Sequence, residues 1–171
     1  MSAAAIILAL VTLQRLGELI LSRRNTKRLL ARGAIEVGAR HYPFIVAVHV
    51  AWLIALWMLG RNQRVDWLLL AAFVMLQGLR LWILSSLGSR WTTRIIVLPG
   101  EPLIASGPYR YVAHPNYAVV AGELALLPLA LHLPYAALLF SVMNGIALLV
   151  RIRIEARALA TFSRPFARAV S

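Results

Sequence analysis

The chain has 171 residues, 61% of them hydrophobic and only 14% charged, a balance that excludes an ordinary soluble domain and a disordered segment. Its net charge of +12 would admit nucleic acid on electrostatics alone. The basic residues, however, lie just outside long apolar runs, which fits membrane topology and anionic headgroups, so the expected partner is a lipid bilayer and not nucleic acid. Without cysteine there is no disulfide framework, thiolate nucleophile or cysteine-ligated metal.

In chain order, the first apolar run predicts a membrane helix over residues 3–21. It carries Gln14, Arg15 and Glu18 and has no basic leader, so it reads as a retained span and not a cleaved signal. The three polar residues share one helix face, where they either fix packing by pairing or form the polar wall of a site. Residues 22–40 hold Arg23, Arg24, Lys27, Arg28, Arg32 and Arg40 with an apolar Leu29-Leu30, and predict a separate amphipathic helix on the headgroups, ending near Gly33. A second span is expected over 42–59, with His49 a packed, hydrogen-bonded residue, and a third over 67–87, with Arg80 a partner for Glu18.

Residues 88–113 form the longest non-spanning stretch. Two β-prone runs, 91–98 and 103–106, flank Pro99-Gly-Glu-Pro102 and predict a small local hairpin or irregular cap. A fourth helix over 116–131 carries Glu123, and a fifth over 135–150 carries Asn144; the short His132-Leu-Pro134 link makes them a tight hairpin. A basic helix then leaves the membrane from Arg151 onward. The expected fold is thus an all-α integral membrane protein of about five transmembrane helices, plus the interfacial helix and a C-terminal cytoplasmic helix. All 171 residues form one domain, with its functional region at 107–171.

Charge sets the orientation. Residues 22–40, 88–115 and 151–171 hold 6, 3 and 5 Lys or Arg, 14 in all, against Arg61 and Arg64 on the other side. The excess places the C-terminus and the 107–117 segment in the cytoplasm.

That segment, Gly107-Pro-Tyr-Arg-Tyr-Val-Ala-His-Pro-Asn-Tyr117, is polar, aromatic and bracketed by prolines. Pro115 suits the first turn of a helix, which puts His114 at its N-terminus, where unpaired N–H groups attract anions. A tight turn with interfacial aromatics is the plainer reading. Arg151-x-x-x-Glu155 follows some 35 residues later.

Together these stretches resemble the isoprenylcysteine carboxyl methyltransferase family, integral membrane enzymes that use S-adenosylmethionine without a Rossmann domain. The front half, with Gln14-Arg15, Arg23-Arg24-Asn25, Gly33-Ala-Ile-Glu36 and His41-Tyr-Pro43, is similar to a small bacterial branch encoded beside type III polyketide synthases. That branch O-methylates long-chain alkylpyrones and alkylresorcinols. The resemblance implies cofactor contacts from Tyr109, His114, Pro115, Tyr117, Arg151 and Glu155, a site facing the cytoplasm in the bacterial inner membrane, and a functional link to a type III polyketide synthase. The chain departs from the family at Ala113, where an arginine usually precedes His-Pro, and at Ala156, where a second glutamate is usual.

Methyl transfer to oxygen is a displacement in which positioning supplies much of the effect. An acidic acceptor needs no base, whereas a resorcinol hydroxyl would benefit from one; Glu123 and His114 are the candidate catalytic residues. Glu123 reads equally well as a buried glutamate holding helix five through Asn144. Glu155 reads also as the partner of Arg151 one turn away. Carboxyl methylation of a prenylated cysteine, N-methylation of a phospholipid and a non-catalytic membrane scaffold are the alternative functions.

Overall fold

The structure is a computed structural model that describes residues 2–102 and 104–162. Leu103, in the second β-prone run, and residues 163–171, at the end of the expected functional region, lie outside the described residues.

Five helices carry the fold: α1 (Ala3–Ala31), α2 (Tyr42–Leu59), α3 (Trp67–Leu87), α4 (Pro115–Ala130) and α5 (Pro134–Phe162). Two short strands, β1 (Ile35–Val37) and β2 (Ile95–Val97), pair antiparallel with Glu36 opposite Ile96. Among the described residues, four helices (α1, α2, α3 and α5) are long and apolar enough to cross a membrane. Helix α4, the expected fourth span, has 16 residues. That is about 24 Å of helix, short of a ~30 Å hydrocarbon core.

Large apolar side chains such as Leu13, Ile20, Ile54, Met58, Leu68, Met75, Leu81, Leu138 and Ile146 are exposed around the bundle. In water such a surface would be an aggregation liability; against lipid tails it is solvated. The buried core lies between the helices, from Leu8 and Trp52 through Phe73 to Leu124 and Leu131. Helix α4 approaches α3 closely, since a Cβ on Gly122 would lie 2.6 Å from Leu76 Cδ1.

The bundle has two ends. At one, Asp66 caps α3 through its carboxylate and donates its own N–H to the Ala130 carbonyl at 2.8 Å, and Ser2 bonds the Arg61 carbonyl. At the other, Ser22, the β1–β2 pair, the 88–93 segment and Arg151 are bonded together. The three segments expected to share one side of the membrane therefore gather at one end.

Three expectations are corrected. The amphipathic stretch is not a separate interfacial helix, because α1 runs unbroken for 29 residues to an Arg32 cap and the left-handed Gly33. Nothing between Ser22 and Ala31 breaks a helix, and Ser22 and Asn25 are buried and bonded to the 88–93 segment. The C-terminal helix is likewise continuous with α5, whose 29 residues run through Arg151. Finally, within this mostly helical fold the expected strand pairing is not local: β2 pairs with β1, some 60 residues earlier, and not across the Pro99–Pro102 turn.

Candidate functional site

Gly107 opens the 3₁₀ turn Gly107–Arg110 with φ +60, a left-handed conformation that suits glycine. The turn buries Pro108 and presents Tyr109. Pro115 occupies the first position of α4, as its fixed φ and missing N–H favour, and is buried; His114 is the N-cap residue, with no capping bond from its side chain.

These elements, β2 and α5 enclose a cavity of about 680 Å³. Tyr109, His114, Tyr117, Arg151 and Glu155 all line it; Pro115, buried at the start of α4, does not. The hydroxyl of Tyr117 donates to Glu155 and accepts from Arg151 Nε at 2.8 Å. The His114 ring stacks on Tyr117 with centroids 5.1 Å apart, and its Nδ1 is 4.0 Å from Glu155 Oε2. The guanidinium of Arg151 also donates to the Thr93 carbonyl at 2.7 Å and lies over the Tyr117 ring. Arg151 and Glu155 are thus joined through a tyrosine hydroxyl and not by the simple one-turn ion pair. Burial, with Glu155 second, pushes the Tyr109 phenol up to about 12.

Sequence reasoning missed the opposite wall, made by Leu29, Trp91, Arg94 and Ile95. Arg94 binds Glu36 through Nη1 at 2.7 and 3.0 Å and stacks over Tyr42, which ties β1, β2 and α2 together. Asn25 of α1 donates to the Trp91 carbonyl at 2.9 Å. The only signal was a buried-type polar triplet, Ser22, Asn25 and Thr26, on one helical face. Of the two departures, Ala113 lines the cavity while Ala156 is exposed and does not.

A second cavity, of about 240 Å³, lies deeper between α1, α2 and α5. Its wall includes Arg15, Leu16, His49, Val50 and Asn144, and it shares Trp91, Thr92, Asn116, Tyr117 and Arg151 with the first. His49 bonds the Ile45 carbonyl at 2.8 Å, as a packed histidine should. Among the described residues that line it, Arg15 Nε, Trp52 Nε1, Trp91 Nε1, Asn116 Oδ1 and Asn144 Nδ2 are buried atoms without a hydrogen-bond partner. Each such group costs about 1–3 kcal/mol when left unmet.

Glu123 lines neither cavity. It is fully buried, and each oxygen takes two donors: Gln77 and Arg80 Nε on Oε1, Arg15 and Arg80 Nη2 on Oε2. Glu18 completes the network, binding Arg15 at 2.8 Å and Arg80 at 3.0 Å, as the sequence suggested for the latter. Two carboxylates balance two guanidiniums, the arrangement that makes charges tolerable at membrane depth. The expected Glu123–Asn144 contact does not form, because the arginines of α1 and α3 satisfy the carboxylate first.

The fold and its paired cavities define a helical integral membrane protein whose site is built on a helix N-terminus and a helical hairpin. The chain belongs to the isoprenylcysteine carboxyl methyltransferase (ICMT) family, whose model matches residues 67–161. It is thereby placed in a family of membrane methyltransferases, which generally use S-adenosylmethionine. It is 41% identical to the uncharacterized protein YpbQ of Bacillus subtilis (strain 168), over 92% of this chain and 97% of that one. An uncharacterized protein of Haemophilus influenzae is 30% identical, over 85% and 88% of the two chains. No solved structure matches the chain.

Proposed function

We propose that this protein transfers a methyl group from S-adenosylmethionine to an oxygen of a lipophilic acceptor held in the membrane, a long-chain alkylpyrone or alkylresorcinol. The observation that carries the reading is the shared wall: a large cavity at the basic end and a smaller one within the helices meet at Asn116, Tyr117 and Arg151.

The residues of the outer cavity suit the cofactor. Its volume lies within the about 300–1,000 Å³ usual for such sites. Glu155 offers a carboxylate to ribose hydroxyls or an amino group, Tyr109 and Trp91 offer aromatic surface to a purine, and the start of α4 beside His114 offers N–H groups to a carboxylate. When bound, the cofactor supplies an electrophilic methyl on a sulfonium, whose sulfur keeps the bonding electron pair as the acceptor oxygen takes the methyl.

The chain's own part is positioning. Tyr117, fixed by Glu155 and Arg151, separates the two cavities and sets where an acceptor oxygen can approach. Glu123 has no lone pair to spare, so we assign it to holding α1, α3 and α4 together and not to taking a proton. His114 lines only the cofactor side, so an acceptor that ionises by itself suits the site best.

The 14-to-2 excess of basic residues supports a site facing the cytoplasm across the inner membrane, with α4 spanning beside α5 despite its length. Alkylpyrones and alkylresorcinols would tie the protein to a type III polyketide synthase. The test is transfer of labelled methyl by the detergent-purified protein to an alkylpyrone, an alkylresorcinol, a farnesyl-cysteine and phosphatidylethanolamine. Label in either polyketide supports the reading. Label only in farnesyl-cysteine or the phospholipid moves the assignment to that acceptor, and none in any acceptor favours a scaffold.

A further inference from the structure

An acceptor that ionises by itself needs no base, but a neutral ring hydroxyl does, and His114 stands on the cofactor side. The inner cavity, which reaches the apolar surface between Leu16 of α1 and Val50 of α2, holds a second histidine. His49 lines it and does not line the cofactor cavity.

The other polar groups of this wall cannot take a proton readily. Thr12, Tyr42, Thr92, Thr93 and Tyr117 have their hydroxyls bonded within the protein. The Glu18 carboxylate accepts from Gln14, Arg15 and Arg80. Of the five buried atoms without a partner, Arg15 Nε and the two indole nitrogens already carry their hydrogens, and those of Asn116 and Asn144 belong to weakly basic amides. His49 differs at both ring nitrogens. Its Nδ1 lies 2.8 Å from the Ile45 carbonyl, which can only accept, so Nδ1 carries the hydrogen and the neutral ring keeps its lone pair on Nε2. No hydrogen bond joins Nε2 to another described residue, and it is not among the buried unmet atoms, so that lone pair is open to the cavity.

We propose that His49 is the general base on the acceptor side, its Nε2 taking the proton of a ring hydroxyl seated in the inner cavity, directly or over one water. The O–H bond breaks with its electron pair left on oxygen. That oxygen takes the methyl as the carbon–sulfur bond breaks, the bonding pair staying on sulfur. The imidazolium keeps its Nδ1 bond to Ile45, shares its wall with the Glu18 carboxylate, and gives the proton to water once the product has left. The proposal rests on the methyltransferase reading and adds the residue that extends it to acceptors too weakly acidic to ionise alone.

The test measures methyl transfer to a 5-alkylresorcinol, neutral at physiological pH, and to a 4-hydroxy-6-alkyl-2-pyrone of the same chain length, which ionises by itself. The variants are His49→Phe, which keeps a ring, and His49→Gln, which keeps a hydrogen-bond acceptor but no base. With the resorcinol, kcat should fall about a hundredfold in both, while KM in His49→Gln stays within about threefold. With the pyrone, both variants should keep kcat within about threefold. Affinity for S-adenosylhomocysteine, measured in parallel, should not change; a variant that loses it is misfolded, and the other variant then decides. A residue that only packs would slow both acceptors alike. Equal losses with the two acceptors, an unchanged kcat for the resorcinol, or no transfer to the resorcinol by a wild type that binds S-adenosylhomocysteine overturns the proposal. A wild type that does not bind S-adenosylhomocysteine overturns the underlying reading instead, and the proposal with it.

Discussion

Tyr117 on α4 donates its hydroxyl to Glu155 on α5, and the same oxygen accepts from Arg151 Nε at 2.8 Å. One hydroxyl therefore fixes the side chains of a carboxylate and a guanidinium that stand one helical turn apart. It also ties the N-terminal turn of α4 to the far half of α5, where the two cavities meet. Tyr117→Phe keeps the ring, its stacking on His114 and the cavity wall, and removes only the bridge. Affinity for S-adenosylhomocysteine should fall about three- to tenfold, the scale of a charge-assisted hydrogen bond lost beside a ligand. Calorimetric titration checks it, and an unchanged affinity would show that the bridge has no part in shaping the site.

Glu123 is the keystone of a neutral four-charge network. Glu123→Gln leaves Arg15 and Arg80 sharing Glu18 alone, and breaking a buried pair in this way costs about 3 kcal/mol or more. Denaturant unfolding in detergent should show that loss, while cofactor affinity stays within about twofold because the residue lines neither cavity. Full stability with methyl transfer abolished would return Glu123 to a proton-accepting role.

Gly107 positions Tyr109. Its φ is +60, and a Cβ there would lie 2.1 Å from Ser86 Oγ. Gly107→Ala should cost about 1–2 kcal/mol from the left-handed backbone alone. Adding Ser86→Ala should relieve the contact but not that backbone cost. The displaced turn should weaken cofactor binding several-fold, and the double variant should recover only part of it.

Tyr109 titrates high, near 12 against an ordinary 10.0, because burial and then Glu155 disfavour the phenolate. The folded value lies above the unfolded one, so the neutral phenol's contribution to stability is intact below pH 10. It is lost as the pH climbs toward about 12. Tyrosinate absorbance should show a component near 12 that vanishes in Tyr109→Phe. That variant should also lose less stability than the wild type between pH 10 and 12. If the component lost in Tyr109→Phe titrated instead at the ordinary value, the burial of Tyr109 would be contradicted.

The part of the site legible in the sequence was the part written in short-range spacing. Pro115 marked a helix start, the polar and aromatic residues around it could be placed on one loop, and the Arg151-to-Glu155 step put both groups on one helix face. The charge asymmetry put three distant segments together, and the structure joins them at one end. What was not legible depended on partners far along the chain. No local pattern says that Ile35 pairs with Val97, or that Asn25 holds the Trp91 carbonyl. The same limit explains Glu123: a buried carboxylate is visible as an anomaly, but only the meeting of α1, α3 and α4 shows that Arg15 and Arg80 already occupy it. The single helix α1 was missed because basic residues after Leu21 suggested a change of environment, which a continuous helix can cross without a change of backbone.

A cavity around Tyr117 and Glu155 that holds S-adenosylmethionine must also bind the demethylated product. The most direct test is calorimetric titration of S-adenosylhomocysteine into the detergent-purified protein, repeated with Glu155→Ala. The wild type should bind at micromolar concentration and the variant about tenfold or more weaker, with both proteins equally folded. No binding to folded wild type, or equal binding by Glu155→Ala, would contradict that role of the cavity.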